Sequence, residues 1–548
     1  MKNLTPMQAA YWTGRQANGF LGNVAAHLYV EFDCGKLDPH RLEKAVRKLY
    51  ESHDMMRMRI TPDGRQHIGK TEESLSFEIE DLTGLDAGVL DRHLADKRER
   101  WTCRTLDLAA GQTSAFGLSV LPGGACRLHV DTDMVAIDPP SFCLLMEDLA
   151  RFYEDPRIGI EKGKSGYFDW LDRKNSDSDL ARRHSEDKRW WQERLAGLPP
   201  APNLPAAAIS RPVRSGRLAA MLSPEERRSL TRTARGLRIT PSALMLGLFT
   251  AVVGEATGDE RFRLNVPMFW RAPFTAEVER LVGDFSNILI LAADPSPGEP
   301  LGSLCKRLAE QMLDLLAHSS YPGVNVMRDL SRARRSLQTA PIVFTSGLDL
   351  PGRDLFSERV ARVFGPMSWA VSQGPQVALD AQVAAMSGGI LINWDIRYDA
   401  LPETWINSAF DTYVALARKI AKDPAALEEP AFPREATAHA AGNASRHTEY
   451  MLRELLTRLV PAAGAHGPGE IRKLGLSDGD LTGFVAFLNR YIPGTNLTLE
   501  DIGPASTAAS LASVIRVRSA GASEKVGLAY LKAIDARDRA SLEAQPAE

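Results

Sequence analysis

Strand-like and helix-like hydrophobic patterns take turns along the first 430 residues, and no other feature narrows the fold as much. His27–Asp33 alternates, with Leu28, Val30 and Phe32 on one side, as a half-buried strand does. Arg41–Ser52 then places Leu42, Ala45, Val46, Leu49 and Tyr50 on one helical face. Further on, Leu128–Asp133 reads as a strand and Phe142–Tyr153 as a helix. Such a mixture predicts an α/β core, and excludes a helical bundle or an all-β sandwich.

Local signals punctuate this pattern. The serine, proline and acids of SPEE from Ser223 open a helix, and Thr240 with Pro241 opens a second, strongly apolar one over Ala243–Val253. The proline-rich LAGLPPAPNLPAAAISRP from Leu195 reads as an extended linker between two lobes. Composition shifts again over Asp423–Arg446, where a domain boundary is expected. The organisation expected is an N-terminal lobe over 1–200, a C-terminal lobe over 201–430 and a linker over 431–447. A small helical domain over 448–519 and a polar tail over 520–548 follow. At 548 residues the chain is long enough for several units.

Charge and cysteines remove several function classes. With 66 basic and 69 acidic residues, net charge −3, there is no polybasic footprint for nucleic acid. Five scattered cysteines (Cys34, Cys103, Cys126, Cys143, Cys305) show no zinc-ligand spacing and suit a reducing compartment. The opening MKNLTPMQAAYW has no apolar leader, and the longest apolar stretch, Ala243–Gly254, is well short of the roughly 20 residues that span a bilayer. A cytoplasmic protein is expected, with no membrane partner and no metal. No phosphate-binding or dinucleotide fingerprint occurs.

Three short segments carry candidate chemistry. In LHVDTDMVAIDPPSF, Asp133, Asp138 and Ser141 fit DxxxxDxxS; on spacing alone this is an Asp-rich turn capping a helix that starts near Ser141. Gln376–Val383 alternates, with Gln376, Asp380 and Gln382 on one face and Val377, Leu379 and Val383 on the other. The glycines at 388 and 389 separate it from a second strand, Ile390–Trp394, by a connection longer than two residues. An acid between two amides suits a solvated surface, the commoner case, or a wet channel. In PIVFTS from Pro341, Thr345 shares a face with Val343, and Ser346 with Ile342 and Phe344; a threonine is at home in any strand.

Taken together and in order, these segments resemble the heterocyclization family within the condensation superfamily of nonribosomal peptide synthetases. The anchors are LTPMQAAYWTGR (Leu4–Arg15), the DxxxxDxxS signature in place of HHxxxDG, and WQERL followed by LPPAPNLP (Trp191–Pro205). VGDFSN (Val282–Asn287), PIVFTS, SQGPQVALDAQ (Ser372–Gln382) and Trp394 with Asp395 complete the series. The resemblance implies two chloramphenicol-acetyltransferase-like lobes in a V, with a tunnel between them. Donor and acceptor carrier proteins would dock at its mouths. It implies condensation of an acyl thioester with carrier-bound Cys, Ser or Thr, then cyclodehydration to a thiazoline or oxazoline. No cofactor would be bound by the chain; substrates would ride on the phosphopantetheine arms of partner carriers, and activation of the amino acid would occur elsewhere.

By the same resemblance, Asp380 is the acid/base and Thr345 its partner, while Asp138 pairs with an arginine to hold its loop and Asp133 is of mixed role. Gln376, Gln382, Trp270, Ser346 and Asn287 are expected at the tunnel. Where the family usually has SQTPQVWLDHQ, this chain has Gly374, Ala378 and Ala381, and Trp270 stands for an asparagine. These changes imply an altered tunnel and an unusual substrate, or condensation to an amide or ester without ring closure. A catalytically silent docking scaffold is the remaining alternative.

LGLSDGDL (Leu474–Leu481), LTLEDI (Leu497–Ile502) and STAASL (Ser506–Leu511) resemble a carrier protein. Aligning Leu481 with the motif leucine puts Asp480 where the phosphopantetheine serine belongs. Ser477 is near but is followed by Asp478, so an unmodified module is expected.

Overall fold

The computed structural model describes residues 1–15, 21–159, 165–205, 213–296, 298–349 and 354–431. In the C-terminal part it describes 451–452, 455–456, 471, 476–492, 495–502, 511–512, 514–515 and 518–519. The chain divides into two compact units, residues 1–254 with 260–431, and 432–548 with 255–259.

In the large unit, a five-stranded sheet runs Met367–Gln373, His27–Cys34, Cys126–Asp133, Ser114–Val120, Phe77–Asp81. A six-stranded mixed sheet runs Ser286–Ala293, Phe262–Phe269, Ile342–Gly347, Leu379–Met386, Gly389–Arg397, Ser215–Leu222. Each sheet forms one lobe with its helices. Met367–Gln373 comes from the second half of the sequence yet pairs antiparallel with His27–Cys34, so the C-terminal lobe lends a strand to the N-terminal sheet.

The helices form where the sequence gives them caps. Asp38 accepts from Arg41 N and starts Pro39–Ser52, which buries Leu42, Ala45, Val46, Leu49 and Tyr50. Ser223 and Glu226 form a reciprocal capping box for Pro224–Leu237. Pro241–Thr257 is apolar on every side because every residue from Ala243 to Gly254 is buried. Among the described residues no single helix is long and apolar enough to cross a membrane.

His27–Cys34 is buried on both faces, not half-buried. Leu28, Val30 and Phe32 join the main core, while the opposite face carries Tyr29 and Glu31 under the helix Ala87–Thr102. Arg98 of that helix donates to both Glu31 oxygens (3.0 and 2.5 Å), and Tyr29 bridges Glu31 and His129. A charged side chain can lie under a helix when it is paired in this way, which alternation cannot signal.

The hairpin is also tighter than its sequence suggests. The first strand continues to Met386, which pairs with Gly389, leaving the two-residue turn Ser387–Gly388. Both turn residues have positive φ, 51° and 76°, as a type I′ turn requires.

In the C-terminal unit, Ser477 caps the helix Asp478–Tyr491, which presents Leu481, Phe484, Val485 and Leu488 to a small core with Ile492, Leu497, Ile502 and Ile515. Within the small helical domain expected over 448–519, Met451, Leu452, Leu455 and Leu456 are also described and contribute to that core. Most of Ser506–Ile515 and all of 520–548 lie outside the described residues.

Candidate active site

One face of the six-stranded sheet is a packed aromatic layer, and the other is polar. Trp394 stacks on Tyr413 (centroids 5.8 Å apart) and meets Phe249 and Phe410 edge-on. These contacts fix the sheet against the helices Pro241–Thr257 and Glu403–Lys422. Because side chains alternate, the neighbours of Trp394 in its own strand, Asn393 and Asp395, face the opposite way. The register sets Asp395 beside Asp380 and Arg217, Asn393 beside Gln382, and Gln382 beside Thr345.

The polar face borders a cavity of about 1310 Å³. Its opposite wall comes from the N-terminal lobe, including Tyr11, Met134, Pro139, Phe142 and Cys143. Within it Thr345 Oγ1 donates to Asp380 Oδ1 (3.3 Å) and Gln382 Nε2 donates to Asp380 Oδ2 (2.8 Å). Gln382 Nε2 also reaches Asp395 Oδ2 (3.0 Å), and Asn393 Nδ2 holds the Gln382 carbonyl (2.9 Å). This fixes which end of the amide faces Asp380. Arg217 pairs bidentately with Asp395 (2.7 and 2.8 Å), whose Oδ2 also receives Ser372 N (2.7 Å).

The arginine is thus committed to Asp395, while Asp380 keeps only neutral hydrogen-bond partners, Gln382, Thr345 and Ser372. Burial and the neighbouring Asp395 charge raise the Asp380 carboxyl to about 7, against the pull of Gln382, Ser372 and Thr345. A carboxyl with that pKa at a cavity wall can give or take a proton near neutral pH.

The signature residues are located elsewhere. Asp138 caps the helix Pro139–Glu154 through Ser141 N (2.8 Å) and receives Arg271 Nη2 (3.2 Å) and Phe285 N (3.0 Å). Ser141 is not the cap. Its hydroxyl donates to Gly283 O (2.9 Å) and accepts from Gly283 N (3.0 Å) and Arg271 (2.9 Å). DxxxxDxxS therefore bonds to VGDFSN, joining the two lobes at one end of the cavity. Gly283 has no room for a side chain there, since a Cβ would come within 2.2 Å of the Tyr167 ring. Asp133 is fully buried, accepts Val135 N (3.1 Å) and lies 3.2 Å from Arg15; burial pushes its carboxyl up. None of the three lines the cavity.

Of the other residues expected at the tunnel, Asn287, Ser346 and Gln376 line the cavity with Gln382. Gln376 is not on the strand, which begins at Leu379; it is in the preceding loop with φ 66°. Trp270 is outside the wall, 38% exposed and packed edge-on to Phe274. Its neighbour Arg271 lines the cavity instead. Ala378 and Ala381 are buried away from the cavity, Ala381 pairing with Trp394 in the aromatic layer, so of the altered motif positions only Gly374 borders the space. Two cavity residues, Arg217 and Tyr11, have no role that the sequence reveals. Arg217 lies in a strand, SGRLAAML, that carries no motif. Among the described residues no cluster of His, Cys, Asp or Glu could hold a metal ion.

Comparison with known proteins agrees with this geometry. The family described as "Condensation domain" matches residues 1–431. Phenyloxazoline synthase MbtB of Mycolicibacterium paratuberculosis is 38% identical over 98% of this chain and 46% of its own length. Pyochelin synthetase PchE of Pseudomonas aeruginosa is 32% identical over 76% of this chain and 29% of its own. The chain thus spans less than half the length of these relatives. Among solved structures, the EpoB cyclization-docking bidomain of Sorangium cellulosum superposes with a TM-score of 0.69 at 27% identity. That match covers 77% of this chain and 85% of the other. The chain belongs to the condensation-domain family, in the branch that carries DxxxxDxxS in place of HHxxxDG.

Proposed function

We infer that the protein condenses a carrier-bound acyl thioester with carrier-bound Cys, Ser or Thr, then closes the product to a thiazoline or oxazoline. The observation that carries this reading is Asp380: a carboxyl poised at about 7, held by Thr345 and Gln382 at a cavity wall, with the nearby arginine bound to Asp395. In the first step the acceptor amine attacks the thioester carbon; the C–N bond forms and the thiol of the donor arm leaves. In the second, the acceptor side-chain thiol or hydroxyl attacks the new amide carbonyl. The former carbonyl oxygen, which has taken up the S–H or O–H proton, then departs as water while the C=N bond forms and the amide N–H proton is lost; Asp380 is placed to give the departing oxygen its second proton and to be restored by the one from nitrogen. Thr345 and Gln382 fix both oxygens of the carboxyl, so it meets the substrate in one orientation.

The relatives support ring closure, since MbtB is named a phenyloxazoline synthase and the solved EpoB fragment a cyclization bidomain. The proposed substrates arrive on phosphopantetheine arms of donor and acceptor carriers, in the cytosol, and the chain itself holds no cofactor. Residues 448–519 read as a carrier-like module that is not modified. Ser477 Oγ is engaged in a reciprocal cap with Asp480, receiving Asp480 N (3.2 Å) and donating to its carboxylate (2.6 Å).

The reading is tested by mixing donor and acceptor carriers, loaded with an acyl group and with Cys, Ser or Thr, and weighing the acceptor carrier intact. A condensed product lacking one further water supports it. A product that stays linear with every acceptor contradicts ring closure, and no condensed product at all favours a silent scaffold.

A further inference from the structure

Two carboxyls face each other across the polar wall of the cavity. Asp380 and Asp395 are direct partners in the antiparallel strands Leu379–Met386 and Gly389–Arg397, and Arg217 is opposite Asp395 in the next strand, Ser215–Leu222. Facing residues of this kind have Cβ atoms about 4.5–5.5 Å apart, and like charges placed so repel. One amide bridges the two acids. Gln382 Nε2 donates to Asp380 Oδ2 (2.8 Å) and to Asp395 Oδ2 (3.0 Å), and its carbonyl is held by Asn393 (2.9 Å). The surroundings of the two acids are unequal. Asp395 receives Arg217 Nε and Nη2 (2.7 and 2.8 Å), Ser372 N (2.7 Å) and Gln382, so a proton on it would point at a donor. Asp380 has Thr345 at its other oxygen (3.3 Å), and a hydroxyl can turn to accept. Arg217 borders the cavity, yet it is spent on Asp395. The side chains of this pair are 7% and 2% exposed, so water and salt screen their charges little.

We propose that Arg217 is a positioning residue that assigns the single proton of the Asp380–Asp395 pair to Asp380. This rests on the ring-closure reading above, in which Asp380 gives that proton to the departing oxygen. Two carboxyls that share a site do not both ionise cheaply, and the pair titrates as a unit. The guanidinium stabilises the negative charge on Asp395. That charge, added to burial, then keeps the proton on Asp380. The other groups around Asp380 leave this division intact. Gln382, Ser372 and Thr345 are neutral. The Tyr11 phenol, on the helix Pro6–Gly14 of the other lobe, is pushed up by burial and holds its proton. Arg397, two residues beyond Asp395, is bound to Asp399 (2.8 and 2.6 Å). Arg217 thus acts on the chemistry through Asp395, without meeting the substrate.

The test supplies linear acyl-cysteinyl, seryl or threonyl carrier and follows water loss across pH, where the wild-type rate is expected to fall through about pH 7. In Asp395→Asn the facing charge is gone, and the fall should move to lower pH by roughly one to three units, the usual effect of a charge within about 4–6 Å. The rate at pH 7 then drops about tenfold or more and recovers on acidification. In Arg217→Gln no cation favours the second negative charge, so the last proton leaves later and the fall moves to higher pH. Arg217→Lys keeps the cation and should return the fall toward its wild-type position. Where Asp395→Asn does not fold, because its arginine is left buried and unpaired, Arg217→Gln combined with Asp395→Asn removes both charges and should still fall at lower pH than wild type. A fall that stays at the wild-type pH in these variants, with the rate lowered evenly at every pH, overturns the proposal, since a merely structural pair slows the reaction without moving the fall. If wild type loses no water, the ring-closure reading fails, and thermal melts decide the proton's place separately. The stability gap between wild type and Asp380→Asn should grow up to about pH 7, and in an Asp395→Asn background the same gap should level off at lower pH. Levelling at one pH in both backgrounds overturns the assignment of the proton.

Discussion

Asp138 and Asp380 are both carboxyls enclosed by protein, and they are held in different ways. Asp138 sits at a helix N-terminus with an arginine and two backbone N–H groups pointing at it. Asp380 faces open space with a threonine and a glutamine, and its nearest arginine is bound to Asp395. Burial pushes both carboxyls up. What differs is the availability of the proton. Every oxygen of Asp138 is tied into the joint between the lobes, whereas Asp380 borders the cavity. The acid with a cation and a cap is closed off inside the joint, and the acid with neutral partners at a cavity is the one placed to exchange a proton.

The largest expected effect lies on the Asp380 side. Asp380→Asn keeps the shape and hydrogen-bond count but has no proton to give, so loss of water should slow by about 10²–10⁴-fold, read as linear amide accumulating on the acceptor carrier. Folding stability should move the other way. With a folded pKa of about 7, above the unfolded carboxyl at about 3.9, wild type loses stability relative to the variant as pH rises between those values. The difference is absent below about pH 4 and level above about pH 7, and thermal melts of both proteins across that range check it. A gap that widens on acidification instead would mean that Asp380 is charged and paired.

On the Asp138 side the effect is on stability. Arg271→Ala leaves the carboxylate without its cation and should cost about 3–5 kcal/mol in denaturant melts. Adding Asp138→Asn should recover part of that loss, because the amide needs no counter-charge and still caps the helix. Without recovery, Arg271 would be acting by packing, through its position over the Phe285 ring.

Smaller changes sharpen the contrast. Thr345→Val removes one hydrogen bond to Asp380, and a loss of about 0.5–1.5 kcal/mol corresponds to a several-fold slower ring closure with amide formation unchanged. Ala381→His pushes an imidazole into the layer around Trp394, costing about 1–3 kcal/mol of stability while leaving the linear-to-cyclised ratio as in wild type. A changed ratio would mean that this position reaches the cavity.

The alternating pattern is legible in sequence because each strand is one local decision. Alternation alone sets Asp380 and Gln382 on one face, and helical periodicity alone gives the core face of Pro39–Ser52. Gln376 departs from the pattern because the strand begins only at Leu379, and Gln376 is in the loop before it with positive φ, where alternation does not hold. Trp270 departs from it because a strand end gives no sign of which face the next lobe covers. Arg217 and the Arg271–Ser141–Gly283 joint are not readable, since they depend on contacts between residues 130 or more positions apart. The motif DxxxxDxxS is visible as a pattern; its partner, VGDFSN, becomes a partner only in three dimensions.

The central claim is that Asp380 supplies the proton for water loss, and it is tested most directly by bypassing condensation. Linear acyl-cysteinyl, seryl or threonyl acceptor carrier would be supplied to wild type and to Asp380→Asn, and loss of water followed by intact mass across pH. The account predicts a wild-type rate that falls as pH rises through about 7, where the carboxyl loses its proton, and a variant rate lower by about 10²-fold or more without that fall. Equal rates in the two proteins, or a wild-type rate that rises through the same range, would contradict it.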